Sequence, residues 1–306
     1  MTPRPPDFGE RLRHGPPVLL DGALGTELER RGAGTALPLW SAGALVEAQA
    51  TVLEVHTEYV LAGAEVLTAC TFRTNPRTVG RAGMAGRDAV LTQRAVDLAR
   101  EAAANAAHPV WVAGSVAPAE DCFRPELVPP AAELAEEHAR HAANLRAAGV
   151  DFALIETMNT AREAAVALTC AREAGLPAGV CWVLRDAGHL LGGDPLGEAV
   201  AGVAAMAPLF VGLNCNSPEL TTEALRELRR HWSGPAAAYA NLGRTGAGGW
   251  RRAGGPADLV RYREAAREWV RGGARLVGGC CGTGPALIAG LRRDLRAAQG
   301  AEGGAA

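Results

Sequence analysis

The chain has 306 residues, 48% of them hydrophobic and 21% charged, with a formal net charge of −2. That length buries a large core, as two domains or one large barrel, and the balanced charge excludes a strongly basic nucleic-acid surface or an electrostatic membrane anchor, leaving a small neutral or zwitterionic substrate. All 31 basic residues are arginine, so Schiff-base aldolase chemistry, pyridoxal phosphate anchoring and a Walker phosphate loop, each of which needs a lysine, are excluded as well.

In chain order, the first dozen residues carry no apolar signal-peptide core and read as disordered. Short β-rich or apolar runs then recur at 17–22, 64–70, 109–115, 151–157, 178–184, 209–215, 235–241 and 274–279. Alanine-rich segments of helical spacing fill 44–62, 87–106, 131–148, 160–174, 196–207, 218–231, 256–271 and 285–298. Pro218, Pro256 and Pro285 sit at first helical positions, and Gly149, Gly175 and Gly272 where helices should stop.

Eight strands alternating with eight helices imply a parallel sheet with crossover helices, an α/β (β/α)8 TIM barrel in a single domain with its core at about 15–298. No G-x-G-x-x-G follows the first strand, which argues against a dinucleotide-binding sheet. Three longer loops, 29–43, 117–130 and 242–255, follow strands and so lie on the face where barrel enzymes place their sites, as candidate lids. The tail 299–306 reads as disordered. No stretch is apolar enough to span a membrane, and seven scattered cysteines without a signal peptide suggest reduced thiols in a cytoplasmic protein.

Three of those cysteines stand apart. Cys215 closes the apolar run that begins at Leu209, and Cys280 and Cys281 lie in the glycine-rich run 278–284. Neighbouring residues on a strand face opposite ways, so Cys280 and Cys281 share one metal only where a glycine turn has replaced the strand. Three thiolates favour Zn2+ and leave a fourth tetrahedral position open, as in a catalytic site. A vicinal disulfide is the competing arrangement for Cys280 and Cys281, but it is strained and a reducing compartment would open it. Cys70, Cys122, Cys170 and Cys181 read as small core residues.

The polar residues at predicted strand ends are Asp21, Glu156, Asn214, Asn241 and the cysteines, all at C-terminal ends, which in a barrel converge on one mouth. Asp21 and Glu156 form either a general acid and base or a site for a substrate ammonium group; the second suits a metal site better. Gly22, Gly25 and Thr26 beside Asp21 can offer backbone donors to a substrate carboxylate. Asp21, Gly22, Glu156, Asn214 and Asn241 are therefore the expected substrate-binding set. His138 and His141 read as solvated helix residues, and Arg73, Arg77, Arg81, Arg87 and Arg94 as a basic face or salt-bridge network without a catalytic part.

These residues resemble the homocysteine S-methyltransferase family of Zn-dependent thiol methyltransferases along roughly residues 15–298. The resemblance rests on Asp21-Gly-Ala-Leu-Gly-Thr26, the segment 63–72, Gly114-Ser-Val-Ala-Pro118, Ile155-Glu-Thr157, the segment 212–219 and Gly278-Gly-Cys-Cys-Gly-Thr283. It implies that Cys215, Cys280 and Cys281 bind Zn2+, that a substrate thiol takes the open position and that Asp21, Gly22 and Glu156 hold the amino acid part of homocysteine. The family often carries Y-P-N-S-G after strand seven and S-F on strand five. Here Tyr239-Ala-Asn-Leu-Gly243 and Cys181-Trp182 stand in their places, and Thr157 replaces the aromatic of the betaine enzymes. The last departure argues against betaine; chain length and the single-domain layout favour a sulfonium donor, S-methylmethionine or S-adenosylmethionine, over betaine or methylfolate, and without a D-x-H-x-x-G signature a corrinoid route would require a separate partner protein. The alternatives in other classes are a zinc hydrolase with Glu156 as base and a non-catalytic barrel that holds zinc or a thiol.

Overall fold

The computed structural model describes residues 7–246, 249–252 and 255–303. Its main sheet has eight parallel strands, β1 (Val18–Leu19), β2 (Val66–Ala69), β3 (Trp111–Val116), β4 (Phe152–Met158), β5 (Ala178–Trp182), β6 (Val211–Asn214), β7 (Ala236–Tyr239) and β8 (Ala274–Val277). From β2 to β8 each strand pairs with the next along the chain, and β8 pairs with β1. The ring is completed by a parallel bridge between Leu20 and Val66, where the Asp21 N–H donates to the Val66 carbonyl at 3.0 Å. The architecture is the (β/α)8 barrel that the alternation of elements implies.

The outer helices fall where the periodicity puts them, and Ala131–Ala148, Pro218–His231 and Pro256–Arg271 have the expected bounds. Local chemistry accounts for this. The Ser217 hydroxyl accepts from the Leu220 N–H in front of Pro218, which already has a helical φ, and Gly149 ends its helix in the left-handed region at φ 79°.

The amino terminus departs from expectation. Residues Phe8–His14 form a helix, capped by Asp7 accepting from the Glu10 N–H. Phe8 stacks on Phe152 with ring centroids 4.2 Å apart, and Phe152 meets Phe210 edge to face at 6.1 Å. A helix this short is marginal alone, and the aromatic contact under the barrel holds it. Residues 1–6 lie outside the described residues. The last helix, Pro285–Gly303, runs into the tail expected to be disordered, of which 304–306 lie outside the described residues.

Inside the barrel, alternation builds two layers with different chemistry. Val18, Val66, Trp111, Phe152, Phe210 and Leu276 pack with Phe8 and Leu12 at the amino-terminal end. Two or more residues further along the same inward phase come Thr68, Ser115, Glu156, Asn214 and Tyr239, at the carboxyl end. Among the described residues no helix is long and apolar enough to cross a membrane.

Candidate active site and metal centre

Glu156 follows Phe152 and Leu154 on the inward phase of β4, so the strand carries a carboxylate into the barrel mouth. The β4–β5 register shifts between Ile155 and Met158, and Thr157 has φ 59°. A bulge of this kind re-aims the strand end. Cys215, the residue after β6, also has a left-handed φ, 58°. Regular alternation would set it opposite to Asn214; the turn at Cys215 ends that alternation. Such a conformation costs a β-carbon-bearing residue about 1–3 kcal/mol and persists only where surroundings impose it. Here the Cys215 N–H donates to the Tyr239 carbonyl at 3.2 Å, and Asn241 Nδ2 donates to the Cys215 carbonyl at 2.9 Å.

After β8 the chain turns on glycines because nothing larger fits. A β-carbon at Gly278 would stand 2.6 Å from Leu20 Cβ, and one at Gly279 would stand 2.3 Å from Thr283 Oγ1. Thr283 Oγ1 in turn donates to the Cys280 carbonyl at 2.7 Å and accepts from the Ala23 N–H at 3.1 Å, while Thr26 Oγ1 accepts from the Gly282 N–H at 3.0 Å. The D-G-x-x-G-T opening thus clamps the cysteine turn, and Thr26 serves as a clamp.

As a result, the sulfur atoms of Cys215, Cys280 and Cys281 all lie within 4.8 Å of one another, with Cys215 and Cys281 at 4.0 Å. Three sulfurs bound tetrahedrally at about 2.3 Å from one ion would be roughly 3.8 Å apart, so the triad fits a metal of thiolate preference. Hydrogen bonds from Cys215 and Cys280 hold the Cys281 thiol well below its ordinary pKa, whereas the hydrogen bonds of Cys215 to Cys280 and Cys281, with burial, push Cys215 well above. Three thiolates this close repel one another, so a bound cation would favour the ionised form of all three.

The carboxylates are anchored differently. Asp21 accepts from the Thr68 N–H at 2.8 Å and from the Thr68 hydroxyl at 2.9 Å. Glu156 accepts from Ser115 Oγ, from the Tyr239 hydroxyl at 3.2 Å and from Asn214 Nδ2 at 3.4 Å. Burial pushes the Asp21 carboxyl up to about 7, with the Glu156 charge adding to the rise and the Thr68 bonds opposing it. Burial, then the neighbouring Cys280, pushes Glu156 up to about 8. Two buried acids with raised pKa values beside a thiol cluster form a site that attracts a cation.

Asp21, Gly22, Glu156 and the three cysteines line one cavity of about 420 Å3. Gly22 is held small, since a β-carbon there would stand 2.7 Å from the Tyr59 hydroxyl. Asn214 and Asn241 do not line it. Asn214 is fully buried, its amide spanning the Thr157 N–H at 2.8 Å and the Thr157 hydroxyl at 2.9 Å. Both asparagines hold the backbone that carries Glu156 and Cys215.

The loops 29–43 and 117–130 wall the outer cavity with Trp40 and Phe123, joined by Phe72 after β2. The loop 242–255 folds as an antiparallel ribbon, Gly243–Gly246 with Gly249–Arg252; residues 247–248 and 253–254 of that expected lid lie outside the described residues.

Two readings need correction. His138 and His141 are buried, not solvated. His138 Nε2 bonds Glu163 at 3.1 Å, and His141 Nε2 bonds the Ser115 carbonyl at 3.2 Å, directly behind Glu156. Burial pushes His141 down to about 4, so it is a neutral donor. Of the arginine series, Arg77 and Arg81 do form an ion-pair network on Glu120, but Arg73, which lines the cavity with Arg81, stays outside that network. The sequence reading missed Thr68, Ser115 and Tyr239 as anchors; their inward phase on β2, β3 and β7 was the available signal.

The fold and site together define a (β/α)8 barrel with a thiol triad and two buried acids at its mouth. Residues 18–295 match the sequence profile of the homocysteine S-methyltransferase family, and the chain belongs to that family. It is 34% identical over 294 residues to the homocysteine S-methyltransferase of Escherichia coli K12, covering 90% of this chain and 94% of that one. A selenocysteine methyltransferase of Astragalus bisulcatus is 26% identical, covering 92% and 93%. The metallated form of the homocysteine methyltransferase MmuM from Escherichia coli superimposes with a TM-score of 0.80 at 32% identity, covering 90% of this chain and 96% of that structure.

Proposed function

We propose that this chain transfers a methyl group from a small sulfonium donor, S-methylmethionine or S-adenosylmethionine, to the thiol of homocysteine, giving methionine, with Zn2+ held by Cys215, Cys280 and Cys281. The observation that carries the reading is the placement of the thiol triad and the acids Asp21 and Glu156 on one cavity.

When bound, the metal supplies charge that makes a substrate thiol a thiolate at neutral pH. The chain's own residues do the rest. Asp21 and Glu156 hold the substrate ammonium group, which restores their ionised forms and relieves the cost of burying them. Thr68, Ser115 and Tyr239 fix the carboxylate oxygens, so the amino acid enters in one orientation with its sulfur toward the cysteines. Trp40 and Phe123 offer ring faces to a methylated cation. In the transfer, the homocysteine sulfur forms the new bond to the methyl carbon as the bond from that carbon to the donor sulfur breaks. The electron pair stays on the donor sulfur, which leaves as a neutral thioether, and the thiol proton has gone to solvent on binding. Holding the two reactants in line supplies much of the acceleration.

The test is to purify the chain under reducing conditions, measure metal per chain and assay homocysteine against a panel of sulfonium, betaine and methylfolate donors. About one zinc per chain and methionine formed from a sulfonium donor are expected. Full zinc occupancy in a triple serine variant of the cysteines would overturn the metal assignment.

A further inference from the structure

The proposed reaction requires a donor in the outer cavity but says nothing of how the donor is recognised apart from its methylated cation. Six ionisable side chains other than cysteine and tyrosine line the cavity: Asp21, Arg73, Arg81, Glu120, Asp121 and Glu156. Asp21 and Glu156 belong to the acceptor. Arg81 is spent on Glu120, with Nη2 at 2.7 Å from Oε1, and Arg77 bonds the same oxygen at 2.7 Å. The Asp121 carboxylate accepts from the Phe123 N–H at 2.9 Å, closing its own loop.

Arg73 is different. Among the described residues no carboxylate forms an ion pair with it, and its one hydrogen bond to protein runs from Nη1 to the Glu120 carbonyl at 3.1 Å. Its Nε is buried without a partner. The guanidinium lies over the Phe72 ring, with Cζ 5.2 Å from the centroid. Nε is closed off from the cavity, but Nη2 has no hydrogen bond to protein among the described residues, so the guanidinium keeps a donor for a ligand at the cavity wall. The group whose shape matches its fork is a carboxylate.

We propose that Arg73 is a donor-binding residue that takes the carboxylate of the methyl donor, so that the enzyme selects zwitterionic donors carrying both a methylated cation and a carboxylate. This rests on the reading of the cavity as a methyl-transfer site. The ring faces of Trp40 and Phe123 receive the cationic end and Arg73 the anionic end, while the acceptor's ammonium stays with Asp21 and Glu156. Each substrate is then held through a different charged group, the acceptor by its ammonium on two acids and the donor by its carboxylate on one base.

The experiment compares S-methylmethionine with its methyl ester, which lacks the anion, in the zinc-loaded wild type and in Arg73→Met and Arg73→Lys. Wild type is expected to favour the acid over the ester by about 10- to 100-fold in KM, the scale of a charge-assisted hydrogen bond. Arg73→Met should erase that preference, Arg73→Lys should restore part of it, and the KM for homocysteine should stay within about twofold of wild type. An equal rise in KM for acid and ester in Arg73→Met, or a rise confined to homocysteine, would overturn the assignment. Titration calorimetry of the acid and the ester on the same proteins separates the two levels of the account. Absence of methyl transfer from every donor would sink the proposed function, whereas Arg73 fails if wild type binds acid and ester alike.

Discussion

The two ends of the barrel are made by the same eight strands in the same alternation, and they use burial in opposite directions. At the amino-terminal end Phe8, Trp111, Phe152 and Phe210 meet ring to ring, and removing them from water stabilises the fold. At the mouth, burial pushes Asp21 up to about 7 and Glu156 up to about 8, and it crowds three thiols into 4.8 Å. Stability accumulates at one end and is given up at the other, where, on the proposed function, a metal and an ammonium group would recover it on binding. The shared strands make this workable, since a rigid lower layer holds polar groups where they would otherwise swing to solvent.

The comparison breaks most visibly at the triad. Cys281→Ser should abolish methyl transfer and bring zinc well below one per chain, measured by metal analysis, while circular dichroism shows an intact barrel. Next comes the closed end: Phe152→Ala should cost about 3–5 kcal/mol in chemical denaturation, and zinc per folded chain should be unchanged. If that variant lost zinc in step with stability, the two ends would not be separable.

Asp21→Asn sharpens the contrast because it should act with the opposite sign on stability and function. The Asn amide can satisfy both Thr68 contacts without charge. With its pKa raised in the fold, Asp21 contributes stability that is fully present below about pH 4 and is lost as pH rises through about 7. The ligand-free variant should therefore show a flatter melting temperature between pH 4 and 8 than wild type, while its KM for homocysteine rises about 10- to 100-fold. The smallest effect is expected for Asn241→Ala, which frees the Cys215 carbonyl. Zinc affinity should fall about 10-fold against a competing chelator, with little change in stability.

The barrel was legible because its signals are local: apolar runs, alanine-rich helical spacing, and prolines and glycines at helix ends. The triad was legible from chemistry, since cysteines closing two strands of one barrel must meet at the mouth. Other features depend on contacts that no local pattern reports. The helix Phe8–His14 exists because Phe8 finds Phe152, far away in the chain. The burial of His138 and His141 had a readable cue that polarity masked, for with Leu134 and Leu145 they complete one helical stripe. Arg73 looked like its neighbours Arg77 and Arg81 in sequence. Only the placement of Glu120, which occupies those two and leaves Arg73 facing the cavity, separates them.

The most direct test of the central claim is methionine formation from homocysteine and a sulfonium donor by the reduced protein, followed through removal and return of zinc. The account predicts turnover that scales with zinc bound, disappears on chelation and returns when one zinc per chain is restored. Undiminished turnover after zinc removal, or none with the triad fully loaded, would contradict it.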